Sequence, residues 1–227
     1  YAQYIRTMAS RTVPIPDNLN FHEATVIGRH LATAVNQVDN VLKAKEGDTV
    51  LVMGATGGLG AACVQVAKWS GATVIAAAGT DDRVAATLGL GADHAINYRT
   101  HDLTEEILKL TDGQGVTGVC DSVADPETFN QVIHGMARGA TLVTAGNASG
   151  APDVPLSVRR LYLYFLNIVG EPREAPGGLE AAFVRAGEGG VKALIDQVLP
   201  LSQAADAHRR VESRAGTGKV VLDPTLD

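Results

Sequence analysis

The chain has 227 residues, of which 45% are hydrophobic and 19% are charged, a balance typical of a globular protein with one large domain or somewhat more. A formal net charge of −6 without Lys- or Arg-rich runs argues against nucleic acid as a partner, and no apolar run reaches membrane-spanning length. Two cysteines without CxxC spacing, and no signal-peptide pattern, favour a reduced, cytoplasmic protein.

The first 30 residues do not alternate strands with helices. Residues 12–19 are predicted to form a strand followed by a proline-containing turn. Asn20 is followed three residues later by Glu23, a near capping box that predicts the start of a helix.

Residues 49–145 alternate β-type runs with helical patterns. Strands are predicted at Val50–Met53, Thr73–Ala78, His94–Asn97, Val116–Asp121 and Ala140–Ala145. Helices are predicted at Ala61–Trp69, Asp81–Leu88, Leu103–Leu110 and Pro126–Met136. This alternation predicts an α/β fold with a doubly wound parallel sheet and helices on both faces.

The pattern is less regular after residue 146. A strand is predicted within Leu161–Gly170, followed by helices over Leu179–Ala186, Val191–Val198 and Ala204–Glu212 and a closing strand at Gly218–Leu222.

A glycine cluster between the first strand and the next helix is the most informative segment. Strand, tight turn and helix together hold a dinucleotide pyrophosphate on backbone N–H groups at the positive end of the helix. Gly57 and Gly60 fit the last two glycines of that fingerprint; Ala55 occupies the first position, and Gly54 can supply the turn instead. The candidate pyrophosphate-binding residues are Ala55, Thr56, Gly57, Gly58, Leu59 and Gly60.

A turn that binds no phosphate is the alternative, because glycines also mark ordinary turns. The second strand ends about 20 residues beyond the central glycine, where such folds meet the adenosine ribose, and this spacing favours a nucleotide site.

Two other predicted strands end in polar or small residues. Asp121, Ser122 and Val123 end one strand, and Gly146 and Asn147 follow another. Ligands of open α/β sheets lie at the carboxyl ends of the strands, so these residues are expected to line the ribose and nicotinamide. Ordinary turn chemistry is the alternative, most of all for Gly146 and Asn147.

Several separated motifs occur in one order along the chain. They are Val13-Pro14-Ile15-Pro16-Asp17, Glu23-Ala24, Lys45-Glu46-Gly47-Asp48 before the first strand, Leu88-Gly89-Leu90-Gly91-Ala92-Asp93-His94, Ile96-Asn97-Tyr98 and Gly218-Lys219-Val220-Val221-Leu222. With the glycine cluster, these motifs make the chain resemble the medium-chain dehydrogenase/reductase superfamily, in particular its zinc-independent, quinone-oxidoreductase-like branch.

The resemblance implies a dinucleotide-binding Rossmann domain over residues 31–170. It identifies residues 1–30 as the end of a GroES-like catalytic domain, and residues 171–227 as helices and a strand that return to that domain. Most of the GroES-like β domain of the family has no counterpart here. The chain is therefore expected to be a fragment, to depend on a partner, or to work without that domain.

The end of the second strand bears on the choice of cofactor. It reads Ala77-Ala78-Gly79-Thr80, without the Asp or Glu that bonds the ribose hydroxyls in NAD sites. Arg83 follows one helical turn later and can pair with a 2′-phosphate. The resemblance implies the same role for Arg83, and adds Tyr98 and Arg214 as further phosphate contacts. NADP(H) is therefore favoured over NAD(H).

A plainer interpretation of these residues stays open. Thr80 can cap a helix, Arg83 can be a solvated side chain, and Tyr98 can pack on the surface. Asp81 and Asp82 either reach the ribose or only stabilise the first turn of a helix.

Zinc is not expected. The resemblance places the catalytic Cys of zinc-dependent members near Arg29 or His30. Arg is not a zinc ligand, and one His cannot supply the three protein ligands of a catalytic site.

The leading hypothesis is an NADPH-dependent oxidoreductase that delivers hydride to a carbonyl, a quinone or an activated alkene as small-molecule substrate. No general acid stands out. The chain lacks the Tyr-x-x-x-Lys of short-chain reductases and the Gly-Lys-Ser/Thr of P-loop NTPases. A non-catalytic dinucleotide-binding module is the alternative. A homodimer joined through Leu161–Gly170 is also expected, because that apolar edge would otherwise invite uncontrolled pairing.

Overall fold

The computed structural model of the chain describes residues 1–171, 178–189, 191–213 and 216–227. Its strands are β1 (Thr49–Met53), β2 (Thr73–Ala78), β3 (His94–Asn97), β4 (Val116–Asp121), β5 (Met136–Thr144), β6 (Asn167–Gly170), β7 (Ile195–Pro200) and β8 (Lys219–Asp223). Its α-helices are α1 (Phe21–Val35), α2 (Gly58–Trp69), α3 (Asp81–Gly89), α4 (Leu103–Leu110), α5 (Pro126–Gly135), α6 (Val158–Leu163), α7 (Gly178–Gly187) and α8 (Ala204–Glu212).

Six parallel strands form the central sheet, in the order β3-β2-β1-β4-β5-β6. The strand order reverses between β1 and β4, and in such sheets the crevice at that point receives the ligand. Strands β7 and β8 form a separate, two-stranded parallel sheet. The predicted doubly wound α/β fold is confirmed.

The central strands are buried on both faces. In β1, Val50 and Val52 pack into the hydrophobic cluster on one face, while Leu51 and Met53 pack into the cluster on the other. A strand covered by helices on both sides needs apolar side chains at every position, which explains the unbroken apolar run.

The predicted capping box at the start of α1 is confirmed. The Asn20 side chain accepts a hydrogen bond from the Glu23 N–H at 3.0 Å, and the Glu23 carboxylate accepts one from the Asn20 N–H at 2.9 Å. Beyond α1, a π-helical segment at Asn36–Leu42 continues to Lys43, whose left-handed backbone (φ +53°) ends it.

The strand predicted at the start of residues 12–19 is absent. A short 3-10 helix at Ala9–Arg11 precedes this segment, and Pro14 and Pro16 lack the N–H that strand pairing needs. The proline turn is present, since the Leu19 N–H donates to the Pro16 carbonyl at 3.0 Å.

The helix predicted at Val191–Val198 is wrong, because residues from Ile195 onward form β7. The buried side chain of Gln65 accepts from the Lys192 N–H at 2.6 Å and donates to the Lys192 carbonyl at 3.0 Å. These two bonds occupy the backbone groups that a helix would use. Parallel pairing with β8 then extends the segment.

The strand predicted within Leu161–Gly170 is right only at its end. Ser157 caps α6 by accepting a hydrogen bond from the Arg160 N–H at 3.3 Å, and α6 takes the first part of the segment. The strand β6 begins at Asn167 and forms an edge of the central sheet.

No helix in the described part of the chain is long and apolar enough to cross a membrane.

Candidate dinucleotide-binding site

The glycine cluster makes a tight turn between β1 and α2. Gly54 has a φ of +64°, in the left-handed region that favours glycine, and the Gly57 N–H donates to its carbonyl at 2.9 Å. A Cβ on Gly54 would also lie 2.8 Å from the Val123 side chain. Gly54 therefore supplies the tight turn, as expected from the sequence, in which Ala55 occupies the first fingerprint position.

Gly60 lets the helix approach the strand closely. A Cβ on Gly60 would lie 2.2 Å from the carbonyl oxygen of Gly54 and 2.9 Å from the Cα of Ala55. Only glycine fits this contact, which is the role that the third fingerprint glycine plays in dinucleotide-binding folds.

Gly57 forms the N-cap of α2 without a capping side chain. The first N–H groups of α2 thus have no side-chain cap, the arrangement that binds an anion at a helix N-terminus. Thr56 and Gly57 line the cleft beside the loop, whereas Ala55 and Gly60 are buried beneath it and Leu59 packs against the core. Gly58 lies beside His30 and Lys219. Of the six candidates, Thr56 and Gly57 therefore line the cleft.

A cleft of about 310 Å³ runs from this loop across the carboxyl ends of the strands. It is lined by residues of the glycine loop, of the ends of β2 and β4, and of the C-terminal segment around β8. The glycine loop therefore lies at one end of this cleft.

The end of β2 brings three polar side chains together. Arg83, Tyr98 and Arg99 line the cleft there. A Cβ on Gly79 would lie 3.0 Å from the Tyr98 hydroxyl and 3.4 Å from the Arg99 Nε. The Arg83 guanidinium donates to the Gly216 carbonyl at 3.1 Å, which ties it to the C-terminal segment.

Asp81, at the start of α3, has a different role from the residues that line the cleft. Asp81 accepts a hydrogen bond from the buried Asn97 amide at 2.6 Å, and the Asn97 oxygen accepts from the Arg99 N–H at 3.1 Å. Asp81 thereby helps to hold the segment that carries Tyr98 and Arg99. Thr80 occupies the N-cap position of α3, as the capping interpretation expected, but its side chain makes no capping hydrogen bond.

The ends of β4 and β5 contribute some of the expected residues. Ser122 and Val123 line the cleft, as do Ala148 and Ser149, whose N–H groups donate to the carbonyls of Ser122 and Val123 at 3.1 and 2.9 Å. The loop after β5 is thereby fastened to the end of β4.

Asp121 is buried under the cleft rather than exposed in it. Its carboxylate accepts from the N–H groups of Val123 and Ala124 at 2.8 and 3.2 Å. Burial raises the pKa of Asp121, and these two hydrogen bonds oppose the shift. The structure therefore places Asp121 as a support for the Ser122–Val123 backbone.

Gly146 and Asn147 also support the cleft and do not line it. A Cβ on Gly146 would lie 3.1 Å from the Ser122 carbonyl oxygen, and the Asn147 side chain bonds Ser149 and the Ala151 carbonyl within its own loop. Both shape the loop that carries Ala148 and Ser149. Arg214 lies outside the described residues.

Sequence reasoning missed two basic residues of the cleft. Arg99 follows Tyr98 directly, and that adjacency was the available signal. Arg210 of α8 forms a two-pronged ion pair with Asp196 of β7, at 2.8 and 3.0 Å. This hydrogen-bonded pair holds the pKa of Asp196 below its ordinary value. Only the pairing of β7 with β8 brings the two residues to the cleft.

The expected zinc position holds no cluster of ligands. His30 packs against Gly58, where a Cβ would lie 2.4 Å from its Nε2, and Lys219 lies beside it. Burial, followed by the charges of Lys219 and Arg29, lowers the pKa of His30 to about 4. Within the described residues, no three His, Cys, Asp or Glu side chains are grouped to hold a metal ion. That the protein works without zinc stays a prediction.

Comparison with known proteins gives one family. The family model described as zinc-binding dehydrogenase matches residues 58–176. The chain is 31% identical over 230 residues to a phenolphthiocerol/phthiocerol polyketide synthase component of Mycobacterium tuberculosis, with 98% of this chain and 10% of that protein covered. It is 30% identical over 229 residues to a probable quinone oxidoreductase of Schizosaccharomyces pombe, with 98% of this chain and 69% of that protein covered.

Solved structures agree with these relatives. An NAD-dependent alcohol dehydrogenase superposes with a TM-score of 0.86 at 37% identity, covering 93% of this chain and 61% of that chain. A mycobacterial protein complexed with NADPH superposes with a TM-score of 0.81 at 25% identity, covering 92% and 67%. The chain thus spans about a tenth of the polyketide synthase component and about three fifths of the alcohol dehydrogenase.

Proposed function

Because this chain belongs to the zinc-binding dehydrogenases of the medium-chain dehydrogenase/reductase superfamily, we propose that it forms the cofactor-binding part of an NADPH-dependent oxidoreductase. The acceptor of the hydride is a carbonyl compound, a quinone or an activated alkene. The bound nicotinamide supplies the hydride, and the protein binds and orients it.

The composition of the cleft at the end of β2 is the observation that favours NADPH over NADH as the cofactor. The Tyr98 hydroxyl and the Arg99 guanidinium lie beside the small residue Gly79, and the Arg83 guanidinium lines the same cleft. A ribose 2′-phosphate matches such a group of donors, because charge-assisted hydrogen bonds to phosphate are the strong ones. An NAD site would have an acidic side chain at the end of this strand, and β2 ends in Ala78 followed by Gly79.

The other cleft residues suit the remaining parts of the cofactor. The uncapped start of α2 suits the pyrophosphate. Ser122, Val123, Ala148 and Ser149 lie at the carboxyl ends of β4 and β5, where the nicotinamide half is expected. We assign no residue of this chain as a general acid.

The proposal is tested by binding and turnover on the same sample. NADPH binding is measured by calorimetry, and NADPH oxidation is followed by absorbance with 1,4-benzoquinone and with crotonaldehyde as acceptors. Binding with turnover of either acceptor supports the reductase. Tight binding without turnover of any acceptor favours the non-catalytic dinucleotide-binding module. If neither NADPH nor NADH binds, both the reductase and the module are refuted.

We also propose a homodimer joined through β6. This strand forms an edge of the sheet, and the exposed apolar side chains near it include Tyr162, Phe165 and Ile168, at 62%, 59% and 38% exposure. An open apolar edge invites strand pairing, and isologous pairing satisfies both copies at once.

The dimer is tested by light scattering on Ile168→Lys. A buried charge at the interface is costly, so this variant should be monomeric or insoluble, while the parent is dimeric at micromolar concentration. The control is Val184→Lys, an exposed apolar residue of α7, which should stay dimeric. A monomeric parent refutes the dimer, and a monomeric control refutes the interface.

A further inference from the structure

A second cavity, of about 740 Å³, adjoins the cofactor cleft on the side of β8. It lies between α1, α8 and β8, and it shares Val211 and Val220 with the cleft as common lining residues. A ligand in this cavity would therefore be next to a cofactor in the cleft.

The lining of this cavity is basic. Its titratable side chains include Arg29, His30, His208 and Lys219, and no Asp or Glu of the described residues lines it. This is unusual in a chain whose formal net charge is −6. Neither Arg29 nor Lys219 has a carboxylate within salt-bridge distance in the described part of the chain.

His30 marks the junction between the cavity and the glycine loop. Its Nε2 is buried and has no hydrogen-bond partner among the described residues. Its ring and the Lys219 side chain both pack against Gly58. Because the pKa of His30 is about 4, the imidazole is neutral at pH 7 and presents a dipole instead of a charge. A buried polar atom without a partner calls for a ligand or a water.

The remaining walls are apolar. Val26, Val211, Val220 and Leu222 face the cavity beside the basic groups. Cationic side chains next to apolar walls suit an organic anion with an apolar body better than a small inorganic ion.

We propose that this cavity binds the anionic end of the acceptor substrate, a carboxylate or a phosphate, with Arg29 and Lys219 as its cationic partners. The assignment of this ligand as the acceptor rests on the proposed reductase function. The binding of an organic anion at this site does not.

Calorimetry with three probes tests the site. Crotonate carries a carboxylate, 4′-phosphopantetheine carries a phosphate, and crotonamide is the uncharged counterpart of crotonate. We expect at least one of the two anions to bind at millimolar concentration, and crotonamide to bind much more weakly. Binding of crotonate alone assigns a carboxylate, and binding of phosphopantetheine alone assigns a phosphate.

The variant Arg29→Gln separates this site from the cofactor cleft. It should weaken binding of the anion by up to roughly tenfold, since a charge-assisted contact of an exposed side chain is lost, and leave NADPH affinity unchanged. Lys109→Gln is the matched control, because Lys109 is an exposed cation of α4 that pairs with Glu106. It should change neither affinity.

Four results would overturn the proposal. They are binding of neither anion, crotonate that binds no more tightly than crotonamide while phosphopantetheine does not bind, anion affinity unchanged in Arg29→Gln, and competition of the anion with NADPH for one site. NADPH titrations of the same samples distinguish the two proposals: anion binding without NADPH binding removes the reductase but keeps this site, and the reverse removes only this site.

Discussion

The glycine loop and the end of β2 recognise different parts of the ligand by different physical means. The loop presents backbone: Gly54 turns, Gly60 admits the helix, and α2 begins at Gly58 without a capping side chain. The end of β2 presents side chains: Tyr98 and Arg99 lie beside the small residue Gly79, and Arg83 lines the same cleft.

This difference separates binding from selectivity. Backbone N–H groups at a helix start bind any pyrophosphate, so the loop cannot distinguish NADPH from NADH. Side chains at the end of β2 contact only the part of the cofactor in which the two differ. Changes in the loop should therefore affect both cofactors, and changes at the end of β2 should affect one.

The largest effect is expected from Gly57→Val, which tests the loop. Gly57 has an extended backbone (φ −72°, ψ 164°) that valine adopts readily, so the fold should survive. The added side chain would occupy the space beside α2 that the pyrophosphate needs. We expect both cofactors to bind at least roughly a hundredfold more weakly, about 2.8 kcal/mol.

Calorimetry and a thermal melt of the Gly57 variant check this prediction together. Gly89→Val is the control, since nothing lies within 4 Å of a Cβ at that position. A folded Gly57→Val protein with parental affinity would show that the loop is not the pyrophosphate site.

Arg83→Ala tests the end of β2. It should weaken NADPH by about 1.5–3 kcal/mol, the range for a hydrogen bond to a charged group, and leave NADH nearly unchanged. The measurement is the dissociation constant of each cofactor. An equal loss for both cofactors would mean that Arg83 only supports the fold through its bond to Gly216.

Arg99→Ala should have a smaller effect in the same direction. Arg99 is exposed, so solvent screens its interaction, and we expect a loss below about 1.5 kcal/mol for NADPH. The loss should shrink further at high salt when the titration is repeated. A larger loss for NADH than for NADPH would place Arg99 outside the phosphate site.

A last prediction concerns a different quantity, the pH dependence of stability, which His30 under the glycine loop should influence. Its pKa is lowered from 6.5 to about 4 in the folded chain, so the unfolded chain takes up the proton first as the pH falls. The free energy of unfolding should therefore decrease between pH 6.5 and about 4, and His30→Asn should lose part of that decrease. Denaturant titrations across this window measure it, and an identical pH profile in the variant would contradict it.

The two regions also differ in how far the sequence predicts them. The loop is local: seven consecutive residues contain the turn, the close contact and the helix start, so pattern alone located them. The end of β2 draws on residues distant in sequence. Arg83 and Tyr98 were expected, but Arg99 was missed, and Asp81 bonds Asn97, an arrangement that follows from the pairing of β2 with β3.

Two expectations elsewhere differ from the structure for separate reasons. Val191–Val198 has helical spacing, yet the side chain of Gln65 and the pairing with β8 make its second half a strand. Asp121 looked like a cleft residue because it ends β4, but two backbone N–H groups draw its carboxylate inward. The first outcome rests on tertiary contacts that no local pattern encodes. The second rests on a local turn, in which the Asp121 side chain bonds the N–H groups two and three residues further along the chain.

The ratio of the dissociation constants of NADPH and NADH for the unmodified chain tests the central claim most directly. Calorimetric titration of both cofactors in one buffer should give NADPH the lower constant, by roughly tenfold or more, because only NADPH carries the phosphate for Arg83, Tyr98 and Arg99. Equal constants, or a lower constant for NADH, would contradict the account.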